Sequence, residues 1–249
     1  MSIYFNGCSH TFGDELLDPA SESWPTLVAK TLNLDFKNDA VSGGSNERIV
    51  YQTVDNLKKY DTFIIAWSHY SRFTEYNPVD NFEINFNPTL NLDASLQYSD
   101  DLKNNYKKYK NYGQMYYTHW YNDFYRFKQW LQQILLLQRL FQSEDKKYIM
   151  LNAMPNELEK WLSSRDTFIS KCKNLLPFFD YLNDNQLLDM REQIQTLVSI
   201  IDTTKFIEWS EWFITNLGSK YPVGPRGHLL VDGHKQVAKI VIEKYNTLL

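Results

Sequence analysis

Residues 3–13 read Ile3-Tyr4-Phe5-Asn6-Gly7-Cys8-Ser9-His10-Thr11-Phe12-Gly13. A short apolar run passes without pause into Gly7, and a hydroxyl side chain follows two positions later. Gly13 then precedes the acidic pair Asp14 and Glu15. An apolar strand that ends in a tight glycine turn sets the next side chain at the carboxyl edge of a sheet, where open α/β folds hold their ligands. Ser9 is therefore the candidate reactive group.

Working outward, Trp24–Leu32 has helical spacing, with Pro25 tolerated in a first turn. Leu34–Phe36 reads as a brief second strand. Asn38–Asn46 is a second glycine-bearing loop, in which Gly43 and Gly44 precede a capping Ser45 or Asn46. Ile49, Val50, Val54 and Leu57 then recur at helical period. Thr62–Trp67 is a continuous apolar run, the pattern of a parallel strand buried on both faces. The alternation of strand and helix predicts right-handed crossovers and a parallel sheet. Ser68–Tyr117, rich in Asn, Asp, Tyr and Pro, breaks that rhythm and reads as an insertion, a candidate lid. Tyr121–Phe141 is a strongly amphipathic helix and Lys147–Asn152 a fourth strand. Glu157–Ile201 reads as a second, mostly helical insertion. Within it Leu175–Phe179 is apolar, and Trp161, Phe168 and Phe178 either pack internally or cover a pocket. Ile207–Leu217, with Trp209, Trp212 and Phe213, reads as a short helix. A Pro/Gly loop occupies Tyr221–Gly227, and Val231–Leu249 is a final helix with Val237, Ile240, Val241 and Tyr245 on one face. The expected fold is one α/β domain over residues 1–249, three-layer α/β/α around a parallel sheet, with insertions at about 68–117 and 157–201.

A net charge of -4 argues against a broad electrostatic footprint for nucleic acid. The local run Lys103–Lys110 reads as a solvated face. Cys8 and Cys172 provide no disulfide framework, which suits a reducing compartment. No signal-peptide pattern and no bilayer-length apolar run are found, so a soluble, cytoplasmic chain without membrane contact is expected. His, Cys and carboxylate side chains show no metal-ligand spacing, and no metal or other cofactor is expected. Aromatic residues reach 16%, enough to allow stacking on a sugar-like ligand as well as ordinary packing. The oligomeric state stays open.

A serine is a poor nucleophile until a neighbouring base takes its proton, and histidine suits that task near neutral pH. Negative charge developing on a carbonyl oxygen needs preorganised donors, typically backbone N–H groups at turns. The loops bearing Ser9, Gly43 and His228 provide these parts in order along the chain. His234, with Asp232 near it, offers a second alignment for the base.

Three motifs carry a resemblance. Gly7-Cys8-Ser9-His10-Thr11-Phe12-Gly13 resembles the first block of the SGNH (GDSL-like) hydrolases, with Cys8 where those proteins often have Asp. Asn38-Asp39-Ala40-Val41-Ser42-Gly43-Gly44-Ser45 is similar to the second block, and Gly227-His228-Leu229-Leu230-Val231-Asp232-Gly233-His234 to the last. The resemblance implies a flavodoxin-like fold and a serine ester hydrolase. Ser9 would be the nucleophile and His228 the base, with the N–H groups of Ser9 and Gly43 at the oxyanion. Two departures stand out. Trp67-Ser68-His69-Tyr70-Ser71-Arg72 replaces the block that usually provides an oxyanion Asn, leaving the Ser68 hydroxyl as a substitute donor. Pro225 stands where the family places Asp, three residues before the catalytic His. His228 is then expected to form a Ser-His dyad, oriented by a backbone carbonyl.

Of the remaining polar residues, His10, Asn46 and Arg72 are candidate substrate contacts. The plainer reading makes His10 and His69 hydrogen-bonded loop residues, Asn46 a helix cap and Arg72 one half of a surface ion pair. The function expected is removal of an O-acyl, acetyl-like group from a small-molecule or carbohydrate ester. The alternatives are acyl transfer through the same dyad, and a catalytically silent SGNH fold used for binding or assembly.

Overall fold

The computed structural model describes residues 1–77, 82–86, 88, 100–156, 158–175, 182–209 and 213–247. Five parallel strands form the central sheet: β1 (Ser2–Asn6), β2 (Asp35–Asn38), β3 (Thr62–Trp67), β6 (Lys147–Asn152) and β7 (Phe206–Ile207). Their spatial order is β2-β1-β3-β6-β7. The chain leaves β1 toward one edge and returns to add β3 on the other side. The carboxyl ends of β1 and β3 therefore flank a topological switch point, the place where such sheets bind ligands.

The strands divide one apolar sequence between two cores because successive side chains point to opposite faces. Ile3 and Phe5, Ile64 and Ala66, and Ile149 and Leu151 face one side, where they meet Trp24, Val28, Val237 and Val241. Those partners lie on α3 (Trp24–Leu32) and α11 (Val231–Thr247), which pack on each other. Tyr4, Phe63, Ile65, Trp67, Tyr148 and Met150 face the other side, against Phe127, Trp130, Leu131 and Ile134 of α6 (Asp123–Ser143). All six residues of β3 are buried, as the uninterrupted apolar run requires.

The other described helices and a hairpin complete the frame. The short α1 (Ser9–Phe12) and α2 (Pro19–Glu22) precede α3, and α4 (Asn46–Asp55) joins β2 to β3. Between β3 and α6 lie an antiparallel pair, β4 (Phe73–Asn77) with β5 (Phe82–Phe86), and the long α5 (Asp100–His119). Phe73 stacks on Phe86 at 4.6 Å, and Tyr112, Tyr116 and Tyr117 of α5 close around Phe73. After β6 come α7 (Leu158–Leu162), α8 (Arg165–Leu175) and α9 (Asp184–Ile200), the last opened by a capping box between Asn183 and Gln186. Trp161 and Phe168 are fully buried beside Phe127, so they pack the core. α10 (Phe213–Leu217) lies beside β6. Among the described residues no helix is long and apolar enough to cross a membrane.

Several expectations need correction. β7 was hidden at the start of the stretch read as a helix, because two residues carry no measurable period. The described part of α10 is Phe213–Leu217. The second strand runs over Asp35–Asn38 and is largely exposed, as an edge strand can be. Val54, placed by period on the buried face of α4, is 41% exposed. Phe178, Phe179 and Trp212, singled out in the sequence, lie outside the described residues.

Replacing fully buried Ile64 with Ala should lower unfolding free energy by about 2–5 kcal/mol. Val54→Ala should stay within about 0.5 kcal/mol of the parent. Urea denaturation at equilibrium reads both; a large loss at Val54 would contradict its placement on the solvent side.

Candidate active site

β1 ends at Asn6, whose buried side chain accepts the Gly7 N–H at 2.9 Å and donates to the Ile49 carbonyl of α4 at 3.2 Å. This fixes where the strand stops. A Cβ on Gly7 would lie 2.3 Å from Thr11 Oγ1 and 3.0 Å from the Ala66 carbonyl, so only glycine lets the turn sit this close to β3. α1 then begins at Ser9, with Cys8 as its N-cap residue. Ser9 is 3% exposed, and among the described residues neither its hydroxyl nor its N–H has a hydrogen-bond partner.

The loop after β2 rests on that turn: a Cβ on Gly44 would lie 3.0 Å from the Gly7 carbonyl oxygen. Gly43 adopts φ 74°, and Ser45 caps α4 by accepting the Arg48 N–H at 3.3 Å. Asn46 neither caps α4 nor stands free. It accepts the Ser68 N–H at 2.8 Å and donates to the Ser68 carbonyl at 3.0 Å, clamping the loop after β3 onto α4. Ser9, Gly43 and Ser68 thus follow β1, β2 and β3 at the same sheet edge.

His228 arrives from the loop before α11, and here the sequence reading was incomplete. Its Nδ1 lies 2.9 Å from Glu15 Oε2, and the same carboxylate accepts the His228 N–H at 3.1 Å and the Arg226 N–H at 2.9 Å. Pro225 supplies no carboxylate, but Glu15 does, from a segment 213 residues earlier. Partial burial works against ionisation of Glu15, yet the donors from Arg226 and His228 win and hold its carboxyl below the usual range. Gly224 makes the contact possible: a Cβ there would lie 2.5 Å from Glu15 Cδ. Glu15 itself has φ 70°, a left-handed conformation that non-glycine residues adopt at some cost. Such outliers gather at functional sites.

His10 belongs to α1 and lies beside His228, with ring centroids 4.7 Å apart and the ring planes tilted by 50°. It is 7% exposed and its Nδ1 is buried without a hydrogen-bond partner, unlike the bonded loop residue expected. Burial, reinforced by the charges at His228 and Arg72, pushes its pKa down to about 3. His10 is therefore neutral at pH 7. Arg72 donates from Nη1 to Ser68 Oγ at 3.1 Å and has no carboxylate partner among the described residues, contrary to the expected surface ion pair. The Ser68 hydroxyl, accepting from Arg72, also lies 3.9 Å from Met154 Sδ.

The second alignment fares differently. His234 is 1% exposed, and its Nδ1 accepts the Trp24 N–H at 3.0 Å, joining α11 to α3. Asp232 turns to Lys235 at 3.1 Å on the surface. Among the described residues no group of three or more His, Cys, Asp or Glu side chains is placed to hold a metal ion.

A protein-family model, described as a family of unknown function (DUF6071), matches residues 15–175, more than half of the 249. The chain belongs to this family. The matched span includes Glu15 and Arg72 but neither Ser9 nor His228. No curated protein matches the chain. Among solved structures, TesA is similar with a TM-score of 0.51 at 12% identity, over 100% of both chains. The psychrotrophic esterase EstA from Pseudoalteromonas sp., in a form inhibited by monoethylphosphonate, gives 0.50 at 8% identity, covering 99% of this chain and 97% of that one. A member of the lipolytic protein G-D-S-L family from Veillonella parvula gives 0.48 at 12% identity over 99% of both. The fold is the α/β fold of the SGNH hydrolases.

His10 and His234 also shape the response to acid. Burial drops their pKa values to about 3 and about 4, whereas an unfolded histidine titrates near 6.5. Below about pH 6.5 the unfolded chain binds protons that the folded chain refuses, so stability falls as pH falls, by up to about 1.4 kcal/mol per pH unit for each ring. His234→Asn should remove about one proton from the uptake on unfolding between pH 6.5 and pH 4.5. Urea midpoints across that range measure it, and an unchanged slope would contradict the buried neutral ring.

Proposed function

We propose that the chain is a serine ester hydrolase that removes a small O-acyl group, with Ser9 as nucleophile, His228 as base and Glu15 as the carboxylate behind it. The observation that carries this reading is the Glu15–His228 contact, 2.9 Å long, at the sheet edge where β1 delivers Ser9. With Nδ1–H held by a carboxylate, the imidazole presents the Nε2 lone pair as acceptor, the tautomer a general base needs. A triad of this kind replaces the carbonyl-oriented dyad expected from the sequence.

In this mechanism His228 Nε2 takes the proton of the Ser9 hydroxyl as Oγ attacks the acyl carbonyl. The new oxyanion accepts from the N–H groups of Ser9 and Gly43, with the Ser68 hydroxyl as a third donor. Its collapse breaks the bond to the alcohol, which leaves with the proton from His228. Water then repeats the attack on the acyl-enzyme, and His228 again accepts the proton. Glu15 stays ionised throughout and offsets the charge on the imidazolium. Near-complete burial of Ser9 favours a short acyl chain, and an O-acetylated carbohydrate is a fitting alcohol partner. No cofactor enters any step.

A second reading has one observation in its favour. The Ser9 hydroxyl makes no hydrogen bond to His228 among the described residues. A silent fold that binds a ligand without turnover would share that geometry, although contacts between nucleophile and base are often long before substrate arrives. A fluorophosphonate probe separates the two readings. Labelling at Ser9 of the folded protein, located by peptide mass, supports the hydrolase; a folded chain that resists labelling belongs to the silent class. With p-nitrophenyl acetate, Ser9→Ala and His228→Ala should each lose at least roughly a thousandfold in kcat, and Glu15→Gln roughly 10³–10⁴-fold, because an amide favours the wrong tautomer. Asp232→Asn should leave the rate within about twofold.

A further inference from the structure

We propose that the substrate of this site bears a single negative charge, a carboxylate set near the scissile ester, which Arg72 holds. The inference rests on the ester-hydrolase reading of the same edge of the sheet, and it names the class of ester.

Arg72 differs from the other buried or half-buried arginines beside it. Arg48 is neutralised by Glu83 at 2.6 Å, and Arg126 by Glu47 at 2.5 Å. Arg72 has no carboxylate partner among the described residues, although it is only partly open to solvent. A half-buried guanidinium without a carboxylate partner is desolvated only in part, and an anionic ligand would complete its pairing. Its position is also built with care. Asn46 clamps Ser68, the Tyr117 hydroxyl donates to the Ser71 carbonyl at 2.9 Å, and Arg126 donates to the carbonyl of Arg72 itself. The side chain is then tied by Nη1 to Ser68 Oγ, which leaves the rest of the guanidinium fork for another acceptor. A fork held in place loses little further freedom when a planar carboxylate binds.

An independent observation lies close by. His10 Nδ1 is buried and lacks a partner, and the charge of Arg72 is felt at that ring. A neutral imidazole beside a fixed cation can donate to an anion without adding a second charge. The charge count sets the class of anion. Among the described residues Arg72 gives one positive charge without a carboxylate partner, and the carboxylates of Glu15 at His228 and Asp14 at Ser42 repel anything more highly charged. One carboxylate fits this balance better than a phosphate dianion.

Matched esters test the idea. On the acyl side, p-nitrophenyl acetate is compared with p-nitrophenyl succinate; on the alcohol side, phenyl acetate with 3-acetoxybenzoate. In the parent protein kcat/KM should favour the anionic member of at least one pair. Arg72→Met should lower that preference about 10- to 100-fold, the range expected for losing one hydrogen bond to a charged group, and Arg72→Lys should restore part of it. Equal losses on both members of a pair would assign Arg72 to the reaction or to folding and overturn the proposal, as would equal rates in the parent. Inhibition by inorganic phosphate stronger than by succinate would also overturn it in favour of a phosphorylated substrate. Binding of monomethyl succinate, followed through the imidazole NMR signals of His10 and His228, covers a chain that turns over nothing. Arg72-dependent binding without turnover would uphold the anion subsite and sink the hydrolase reading. Absence of both binding and preference would sink the subsite.

Discussion

The carboxylate of Glu15 ties the first helical turn of the chain to its last loop, and the geometry of the site follows from that contact. α1 is four residues long and ends at Gly13, whose N–H bonds back to the Ser9 carbonyl at 2.9 Å. The Asp14 N–H reaches the same carbonyl at 3.1 Å, so the segment from Ser9 to Glu15 is folded tightly on itself. The left-handed backbone at Glu15 then directs its side chain toward residues 224–228. Two backbone N–H groups and one imidazole nitrogen converge on a single carboxylate. Charge-assisted bonds of this kind outweigh the partial loss of water, and the ionised state follows from that balance.

Around this contact the charges are arranged sparingly. The two arginines that fasten neighbouring loops, Arg48 and Arg126, each have an acidic partner. His10 and His234 are buried as neutral rings. Among the described residues, the Glu15 carboxylate meets His228, the Asp14 carboxylate accepts from the Ser42 hydroxyl, and Arg72 has no carboxylate partner. A low-dielectric rim amplifies each of these, because nearby neutral rings and apolar side chains screen poorly. Because His10 is buried as a neutral ring, the His228 imidazole 4.7 Å away has no second positive imidazole beside it.

The sheet was legible in the sequence because burial on both faces leaves a plain mark. Thr62–Trp67 has no polar interruption, and its two faces feed two cores as the pleat dictates. The turn at Ser9 and the glycine loop at Gly43 were legible for a similar reason, since each requirement is local. Val54 misled because a helical period names a stripe without saying how wide the buried part is. β7 escaped because its two residues pair only with β6 and show no pattern of their own. Glu15 could not be found by spacing at all. Its partner lies 213 residues away, and what selects it is the open space at Gly224, which becomes visible only once both loops are in place.

Pro225 shows how the exchange works. In the arrangement the family resemblance implies, one loop would carry both the base and its carboxylate. Here residues 224–227 form a turn closed by the Gly227 N–H on the Gly224 carbonyl at 2.9 Å. Proline suits the second position of such a turn and glycine the fourth. The turn is braced further by the Gly224 N–H on the His228 carbonyl and by the bridge between Val223 and Leu229. With its backbone so engaged, the loop leaves the Arg226 and His228 N–H groups pointing outward, and a carboxylate from elsewhere can satisfy both together with the ring. An Asp at 225 would give up the preset φ of proline to supply a group that Glu15 already provides. The carboxylate that meets His228 sits on the segment that carries Ser9, so the turn that places the hydroxyl also places the partner of the histidine.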